Sequence, residues 1–357
     1  MTQTIAVSQF TLALDLGDRR TRFCVLDASR EEVAQGVVAT TSAQFESLAA
    51  KYPGARVILE AGSQSPWVSR LFQRLGHEVQ VADPRRVQLI SMDPRKCDRR
   101  DTELLARMGS AMPELLGSIH HRGEQAQAHL SIVRARDLLV RMRGTAVQQV
   151  RSICKAFGVR LAVSSTSCFS TRAAAAIPAL LQPALAPILE VVAELSQRIR
   201  AFDRTLAKLA KEHYPEVQHL QQIDGVGPVI SVAFVLSVED PKRFRSSRKV
   251  GAWLGLCPRS HASGDSNPQL RISKAGDARL RRLLVQGAQR VLGRFGADCD
   301  LRRYGLAIAA RGGKTAKKRA VVAVARKLAV LMHQLWTTSA NYDPLHDAKR
   351  RAAAAAI

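Results

Sequence analysis

Two long runs of regularly spaced apolar residues occupy the middle of the 357-residue chain and most restrict the folds open to it. From Ile188 to Leu209 the apolar positions alternate at intervals of four and three, and from Ile132 to Phe157 they recur at three, four or seven. This spacing is typical of coiled-coil seams, so it predicts two long helices joined as a hairpin over residues 120–212. Two alternatives remain open, namely an antiparallel pair within one chain or a seam that pairs two protomers.

Before this hairpin, short strand patterns alternate with helical ones. TLALD and RFCVLD predict a β-hairpin, RVILEA another strand, SPWVSRLFQRLG a helix, and HEVQVADP a further strand. The alternation predicts an α/β domain with a mixed sheet over residues 8–115. Strand patterns vanish after residue 120, so a mainly helical domain is predicted over 213–340, followed by a tail at 341–357.

The chain is strongly basic, and the charge is uneven. The formal net charge is +24, and residues 241–357 hold 25 Lys and Arg against 6 Asp and Glu. This excess is far beyond what solubility needs and predicts a nucleic-acid partner whose phosphates release counterions on binding. Since no apolar run approaches the roughly 18 residues of a membrane span and the first residues lack a secretion-signal pattern, we expect a cytoplasmic protein with no membrane partner.

A glycine turn and a basic helix are candidate nucleic-acid contacts within the basic domain. LQQIDGVGPVISVAFVL places Gly225 and Gly227 between two apolar helical segments, where backbone amides could hold a phosphate as in helix-hairpin-helix modules. The alternative is a tight connection between helices. Lys317 and Lys318 begin a last amphipathic helix with a basic side.

Acidic residues are scarce in this chain, so their placement is informative. Asp15 and Glu60 end two predicted strands, and Asp98 and Asp101 lie three residues apart at the start of a predicted helix, on one of its faces. Four such carboxylates fit an Mg²⁺ site for phosphoryl transfer, because hard cations take oxygen ligands. Alternatively, the helix acids only favour the helix dipole and Asp15 opens a turn. Competing acids are Asp18, Asp27, Asp83 and Asp93.

A serine-rich segment, which we call the serine loop (residues 259–274), lies between basic residues. One of its serines could attack a phosphodiester if cations stabilise the developing charge, or its hydroxyls could only grip a phosphate. The candidate serines are Ser260, Ser263, Ser266 and Ser273. The basic residues in and after the loop are Arg259, Arg271, Lys274, Arg279 and Arg282.

Five motifs in a fixed order give the chain a family resemblance over residues 11–336. They are ALDLG, ILEAG, K-x-D-x-x-D-x-x-x-L-A, I-x-G-V-G-P, and LGLCPRSHASG followed by RISKAGDARLRRLL. In this order the chain resembles the DEDD-type insertion-sequence transposases related to the Piv site-specific invertase.

The resemblance implies a RuvC-like domain of RNase H fold over 8–115 whose acids, Asp15, Glu60, Asp98 and Asp101, bind Mg²⁺. It also implies that Ser263, before Gly264, is the nucleophile that forms a phosphoserine link, although the extra serines Ser260 and Ser266 depart from the family pattern. Partners implied are double-stranded DNA, a structured guide RNA and further copies of the chain, as a dimer that forms a tetramer on DNA. Two alternative functions remain, a junction nuclease that uses water and a non-catalytic architectural protein.

Overall fold

The computed structural model describes residues 9–90, 98–261, 268 and 270–355. The chain folds as two compact units, Met1–Arg122 and Gly123–Ile357. The predicted hairpin and basic domain both belong to the second unit. The finer division of the chain at residues 115, 212 and 340 stays a prediction.

The first unit is built on a mixed sheet, as the strand patterns predict, with five strands where four were predicted. In sheet order β3-β2-β1-β4-β5, β1 pairs antiparallel with β2 and β2 with β3, whereas β1 pairs parallel with β4 and β4 with β5. The strands are β1 (Thr11–Leu16), β2 (Arg20–Leu26), β3 (Glu32–Ala39), β4 (Arg56–Glu60) and β5 (Glu78–Ala82). The strand β3 was not predicted.

Helices cover both faces of this sheet. Along each strand successive side chains point to opposite faces, so Leu14 packs with Phe45 and Phe72 while its neighbour Ala13 packs with Leu105 on the other side. The first face is covered by α1 and α2, and the second by α4. The helices of this unit are α1 (Ser42–Lys51), α2 (Ser65–Arg74), α3 (Pro84–Ile90) and α4 (Asp98–Ala111).

The second unit is helical, in agreement with the loss of strand patterns after residue 120. Its centre is α9, which is apolar on every side and buried from Ile230 to Val238. Its helices are α5 (Glu124–Ala156), α6 (Phe169–Ala174), α7 (Gln182–His213), α8 (Glu216–Leu220), α9 (Pro228–Val238), α10 (Arg248–Trp253), α11 (Ala278–Leu292), α12 (Asp300–Ala309), α13 (Ala316–Thr338) and α14 (His346–Ala355).

The two longest helices, α5 and α7, form an antiparallel pair within one chain. The Arg136 Nε atom lies 2.6 Å from Asp203 Oδ1. About two turns further along α5, the Arg143 guanidinium donates to Ser196 Oγ over 3.1 Å. As the residue number rises on α5, its partner's number falls on α7. The first of the two alternatives for the seams is therefore the one that the structure contains.

The predicted seam is buried on α7 at all but two positions, Ile188 and Phe202, which are half-buried. On α5 it is correct only in part, since Val150 is buried and Ile132, Ala146 and Ile153 pack half-buried against the core. Val192, Leu195, Ile199, Leu206 and Leu209 of α7 are all buried, as their spacing predicts. The buried positions of α5 follow a different stripe from the predicted one, with Val150 the residue common to both. They are Leu130, Val133, Val147, Val150 and Cys154. A long helix with apolar residues on several sides offers more than one stripe of similar spacing, so its contact face is set by what packs against it.

The helix α7 contains two prolines near its start. Pro183 lies in the first turn, where a missing backbone N–H costs nothing, and Pro187 is accommodated one turn later. The segment Ala179–His213 is long and apolar enough to cross a membrane by length and composition alone. Its buried positions belong to two separate cores, each of which also contains residues of α5, and the core helix of a folded protein can pass the same test.

Candidate active site and nucleic-acid interface

Asp15 and Glu60 lie next to each other at one end of the sheet. The parallel register of β1 and β4 runs to the pair Leu14–Leu59, and the two acids are the next residue on each strand. Because side chains alternate, both acids lie on the sheet face of Ala13 and Ile58, which α4 covers. The side chain of Asp15 is half-buried and that of Glu60 is exposed.

The helix α4 begins at Asp98 and brings Asp101 to the same face of the sheet. Asp101, Leu105 and Met108 share one side of α4, and the two apolar residues pack in the core beneath it. A glycine lets the helix approach closely, since a Cβ atom on Gly109 would lie 2.4 Å from Ile58 Cγ1. The Asp98 side chain lies outside the described residues.

The competing acids differ from this set in position or in bonding. Asp27 follows β2, at the opposite end of the sheet, and its Oδ1 accepts from the amides of Ser29 and Glu31. Asp83 accepts from the Arg85 amide at the start of α3. Asp18 is near enough to Gln64 for a 3.4 Å hydrogen bond, and Asp93 lies outside the described residues.

The described acids at this end of the sheet do not by themselves form a metal cage. Among the described side chains, which exclude that of Asp98, no group of three or more His, Cys, Asp or Glu residues is gathered closely enough to hold a metal ion. The structure therefore places Asp15, Glu60 and Asp101 on one face of the sheet without a finished metal cage.

A buried serine and a half-buried histidine brace the turn that follows Glu60. Ser65 Oγ accepts from the Gly62 amide at 3.0 Å, and it lies 2.8 Å from both the Gly62 carbonyl oxygen and His121 Nε2. Burial, with smaller effects from Arg70, His120 and Arg122, lowers the pKa of His121 to about 4, so the ring is neutral at pH 7. Nothing in the sequence pattern indicated this pair, because its members are 56 positions apart.

The serine loop is held by two hydrogen-bonded arms in the second unit. Ser273 N donates to Cys257 O at 2.9 Å, and Arg259 N donates to Arg271 O at 3.0 Å. Lys274 N also donates to Gly255 O at 3.1 Å. These bonds close the chain around the segment that contains the candidate serines. Ser260 is exposed, whereas Ser263, Ser266 and Gly264 lie outside the described residues.

Two glycines fix the base of these arms against the helices on either side. Gly255 and Gly276 have φ angles of +65° and +67°, and a Cβ atom on Gly276 would lie 2.1 Å from Trp253 O. The next residue, Asp277, caps α11 by accepting from the amides of Arg279 and Leu280. The K-A-G-D motif thus joins the serine loop rigidly to α11.

The predicted basic contacts fall into three places on the second unit. Arg259, Arg271 and Lys274 are exposed on the arms, and Lys317 and Lys318 are exposed in the first turn of α13. Arg279 and Arg282 are exposed at the start of α11, where both approach the carboxylate of Asp137 on α5.

The glycine turn has a structural role at Gly225 and an open surface at Gly227. Gly225 has φ +85°, and a Cβ atom there would lie 2.7 Å from Gly287 O of α11. Gly227 precedes α9, and a Cβ atom added there would have no neighbour within 4 Å. It lies beside a depression of about 360 Å³ that Arg290 and Asp224 also line. Asp224 Oδ2 accepts from the Ala297 amide, and this bond holds the carboxylate beside the depression.

Comparison with known proteins gives two family matches and several similar proteins. Residues 12–157 match the DEDD IS110 transposase model, and residues 217–304 match the model of the IS116/IS110/IS902 transposase family. A probable family 20 transposase of Pseudomonas aeruginosa is 30% identical over 70% of this chain and 75% of its own length. The chain belongs to the IS110/IS116/IS902 transposase family.

Two other proteins are also similar to this chain. The transposase for insertion sequence element IS1111A of Coxiella burnetii is 29% identical over 84% of this chain and 82% of its own length. A pilin gene-inverting protein of Moraxella bovis is 28% identical over 36% of this chain and 40% of its own. As an IS110-family transposase the chain is an enzyme that catalyses DNA strand transfer. The first family match contains all four predicted carboxylates, and the second contains the serine loop and α11.

Proposed function

We propose that this IS110-family transposase excises and inserts its element through a phosphoserine link at Ser263, assisted by Mg²⁺ on Asp15, Glu60, Asp98 and Asp101. One observation supports the metal-dependent part above all. Asp15 and Glu60 are adjacent at the end of two parallel strands, on the face that the Asp101 helix covers. The family assignment favours an enzyme over the architectural alternative.

The first unit is proposed to be a RuvC-like domain of RNase H fold. Its strand order supports this assignment, because β3, β2 and β1 pair antiparallel and β1, β4 and β5 pair parallel. Helices on both faces and acids at the ends of β1 and β4 agree with it.

The proposed carboxylates fit a hard divalent cation, because they offer oxygen ligands and no sulfur or imidazole. When bound, Mg²⁺ supplies Lewis-acid stabilisation of negative charge on the scissile phosphate. The contribution of the protein is to hold Asp15 and Glu60 on the sheet and Asp101 on α4 above it, so that these ligands need little reorganisation.

At the serine loop, the Ser263 Oγ atom is proposed to form a bond to phosphorus as the bond from phosphorus to the 3′ oxygen breaks. The serine proton is lost and the departing 3′ oxygen gains one, so the number of phosphoester bonds is conserved for rejoining. The arms that pair Arg259 with Arg271 support this role, since they hold two exposed guanidinium groups on either side of the serine segment.

Asp101→Asn tests the acid set. We expect strand cleavage to fall by a factor on the order of 10² to 10³, as for loss of one charge-stabilising group, while thermal stability and DNA affinity stay near wild type. Asp18→Asn is the matched control, because it removes a nearby acid that is outside the proposed set. Cleavage should also stop in chelator. Wild-type cleavage by Asp101→Asn would contradict the assignment, and equal loss in Asp18→Asn would move it to other acids.

Ser263→Ala tests the nucleophile. On a nicked suicide DNA substrate we expect wild-type protein and the Ser260→Ala control to form a covalent adduct, and Ser263→Ala to form none. Peptide mapping of the adduct identifies the linked serine. An adduct at Ser260 or Ser266 would mean that the loop is right and the residue wrong. Cleavage with no adduct in any variant would instead support the junction nuclease that uses water.

Sequence choice is proposed to reside in a structured RNA from the noncoding end of the element, with the protein acting as a dimer that forms a tetramer on two DNAs. The net charge of +24 with only 5% aromatic residues supports a protein that grips backbone more than it reads bases. We place this activity in the cytoplasm, at the nucleoid. Recombination reconstituted with and without the RNA, and light scattering of the DNA complex, test these two points.

A further inference from the structure

Three arginines surround one carboxylate where α5 meets the start of α11. Asp137 Oδ2 lies 3.4 Å from Arg141 Nε, 3.7 Å from Arg279 Nε and 3.1 Å from an Arg282 Nη atom. The aspartate side chain is only 20% exposed, whereas the three arginines are 53%, 45% and 44% exposed. The acid is thus enclosed and the cations face outward. We call this group the α5–α11 arginine cluster.

One carboxylate cannot satisfy this cluster. Each guanidinium has five N–H donors, about fifteen in all, against about four acceptor sites on the aspartate. The charges do not cancel either, since three cations face one anion. A second acceptor with dispersed negative charge and several oxygens would match the remaining donors, and phosphate has this geometry.

We propose that the α5–α11 arginine cluster binds one backbone phosphodiester of nucleic acid, with Arg141 as a direct contact and Asp137 as the positioning residue. This inference rests on the proposed function, because it assumes that the second unit binds nucleic acid. It adds a contact on α5 to those on α11, so the helical pair takes part in the binding surface. The first α11 arginine of the cluster, Arg279, comes five residues after Lys274 and follows Asp277, the residue that caps α11.

Asp137 acts by holding three long side chains in one place before the ligand arrives. Ordering such side chains on binding is costly, so a partner that fixes them in advance improves affinity. A carboxylate without this role would only repel phosphate. The two possibilities predict opposite effects when its charge is removed.

Arg141→Gln tests the direct contact, with affinity measured for a 30-bp DNA duplex and for a single-stranded RNA of equal length. We expect affinity to fall about five- to tenfold, and the slope of log K against log salt to lose up to about 0.9 on duplex DNA. Arg198→Gln is the matched control, since Arg198 makes the same i,i+4 ion pair with Glu194 on α7. A loss of affinity for both probes supports the site. A loss for one probe alone also supports it and identifies whether DNA or RNA supplies the phosphate. Unchanged affinity with both overturns it.

Asp137→Asn tests the positioning role. We expect affinity to fall about threefold although the protein gains net positive charge, because the arginines are no longer held together. The control Asp298→Asn removes a carboxylate whose ion pair with Arg303 measures 2.6 Å, and it should leave binding unchanged or slightly tighter. Tighter binding by Asp137→Asn overturns the positioning role. Asp137→Glu should recover part of the loss, and thermal melting checks that each variant is folded.

Failure of this inference and failure of the proposed function give different results. If wild-type protein binds and recombines DNA while Arg141→Gln matches it, only the cluster assignment is wrong. If wild-type protein binds neither probe, the nucleic-acid function itself is wrong.

Discussion

At the scale of single residues, Gly109 sets how closely α4 approaches the sheet. A Cβ atom there would lie 2.4 Å from Ile58 Cγ1, well inside van der Waals contact, and Ile58 precedes Glu60 by two residues on β4. The helix that carries Asp101 and the strand that carries Glu60 therefore pack through a contact that favours glycine.

Gly109→Ala is expected to lower the free energy of unfolding by about 1–2 kcal/mol, since overpacking outweighs the better helix propensity of alanine. Gly144→Ala is the control, because Gly144 lies in α5 with nothing within 4 Å of its added Cβ, and it should stabilise by about 0.5–1 kcal/mol. Chemical denaturation of both variants measures the difference. Stabilisation by Gly109→Ala would show that α4 does not press on Ile58.

At the scale of elements, the sequence of a single helix does not show which of its leucines pack in the α5–α7 pair. Leu206 of α7 is fully buried, and Leu138 of α5 is 48% exposed although both are leucines in long helices. Leu206→Ala is expected to lower the free energy of unfolding by about 2–5 kcal/mol through cavity formation. Leu138→Ala should cost about 0.5 kcal/mol or less, as for most surface substitutions. Equal costs for the two variants would mean that the pair is packed on a different face.

The elements also show how much the sequence predicts. Strands β1, β2, β4 and β5 have buried apolar runs and were predicted, whereas β3 was missed because its side chains are mostly exposed or half-buried at the sheet edge. The adjacency of Asp15 and Glu60 could be predicted, because both residues lie at the ends of such strands. The Ser65–His121 pair and the α5–α11 arginine cluster could not, because each joins residues that only the fold brings together.

At the scale of the whole molecule, charge is divided between the two units. Residues 1–122 hold 16 Lys and Arg against 14 Asp and Glu, and residues 123–357 hold 38 against 16. The acidic site and the basic surface thus belong to separately compact parts of the chain. A nearly neutral first unit suits the binding of cations, and the second suits the binding of polyanions.

A fragment of residues 123–357 is therefore expected to keep most of the salt dependence of DNA binding, at roughly −0.9 in slope for each phosphate neutralised. A fragment of residues 1–122 should bind DNA weakly and with a shallow slope. Titrations of each fragment and of the full chain at several salt concentrations measure this. A steep slope for 1–122 would contradict the division.

The hydrogen-bonded arms at Cys257–Ser273 and Arg259–Arg271 have an evolutionary consequence. They close the intervening segment independently of its composition, and the entropy of closing a segment rises by only about 0.6 kcal/mol when its length doubles. Insertions and exchanges between the arms are thus tolerated while α10 and α11 stay in place. The length of this segment can therefore change in related chains while the same scaffold holds its two ends.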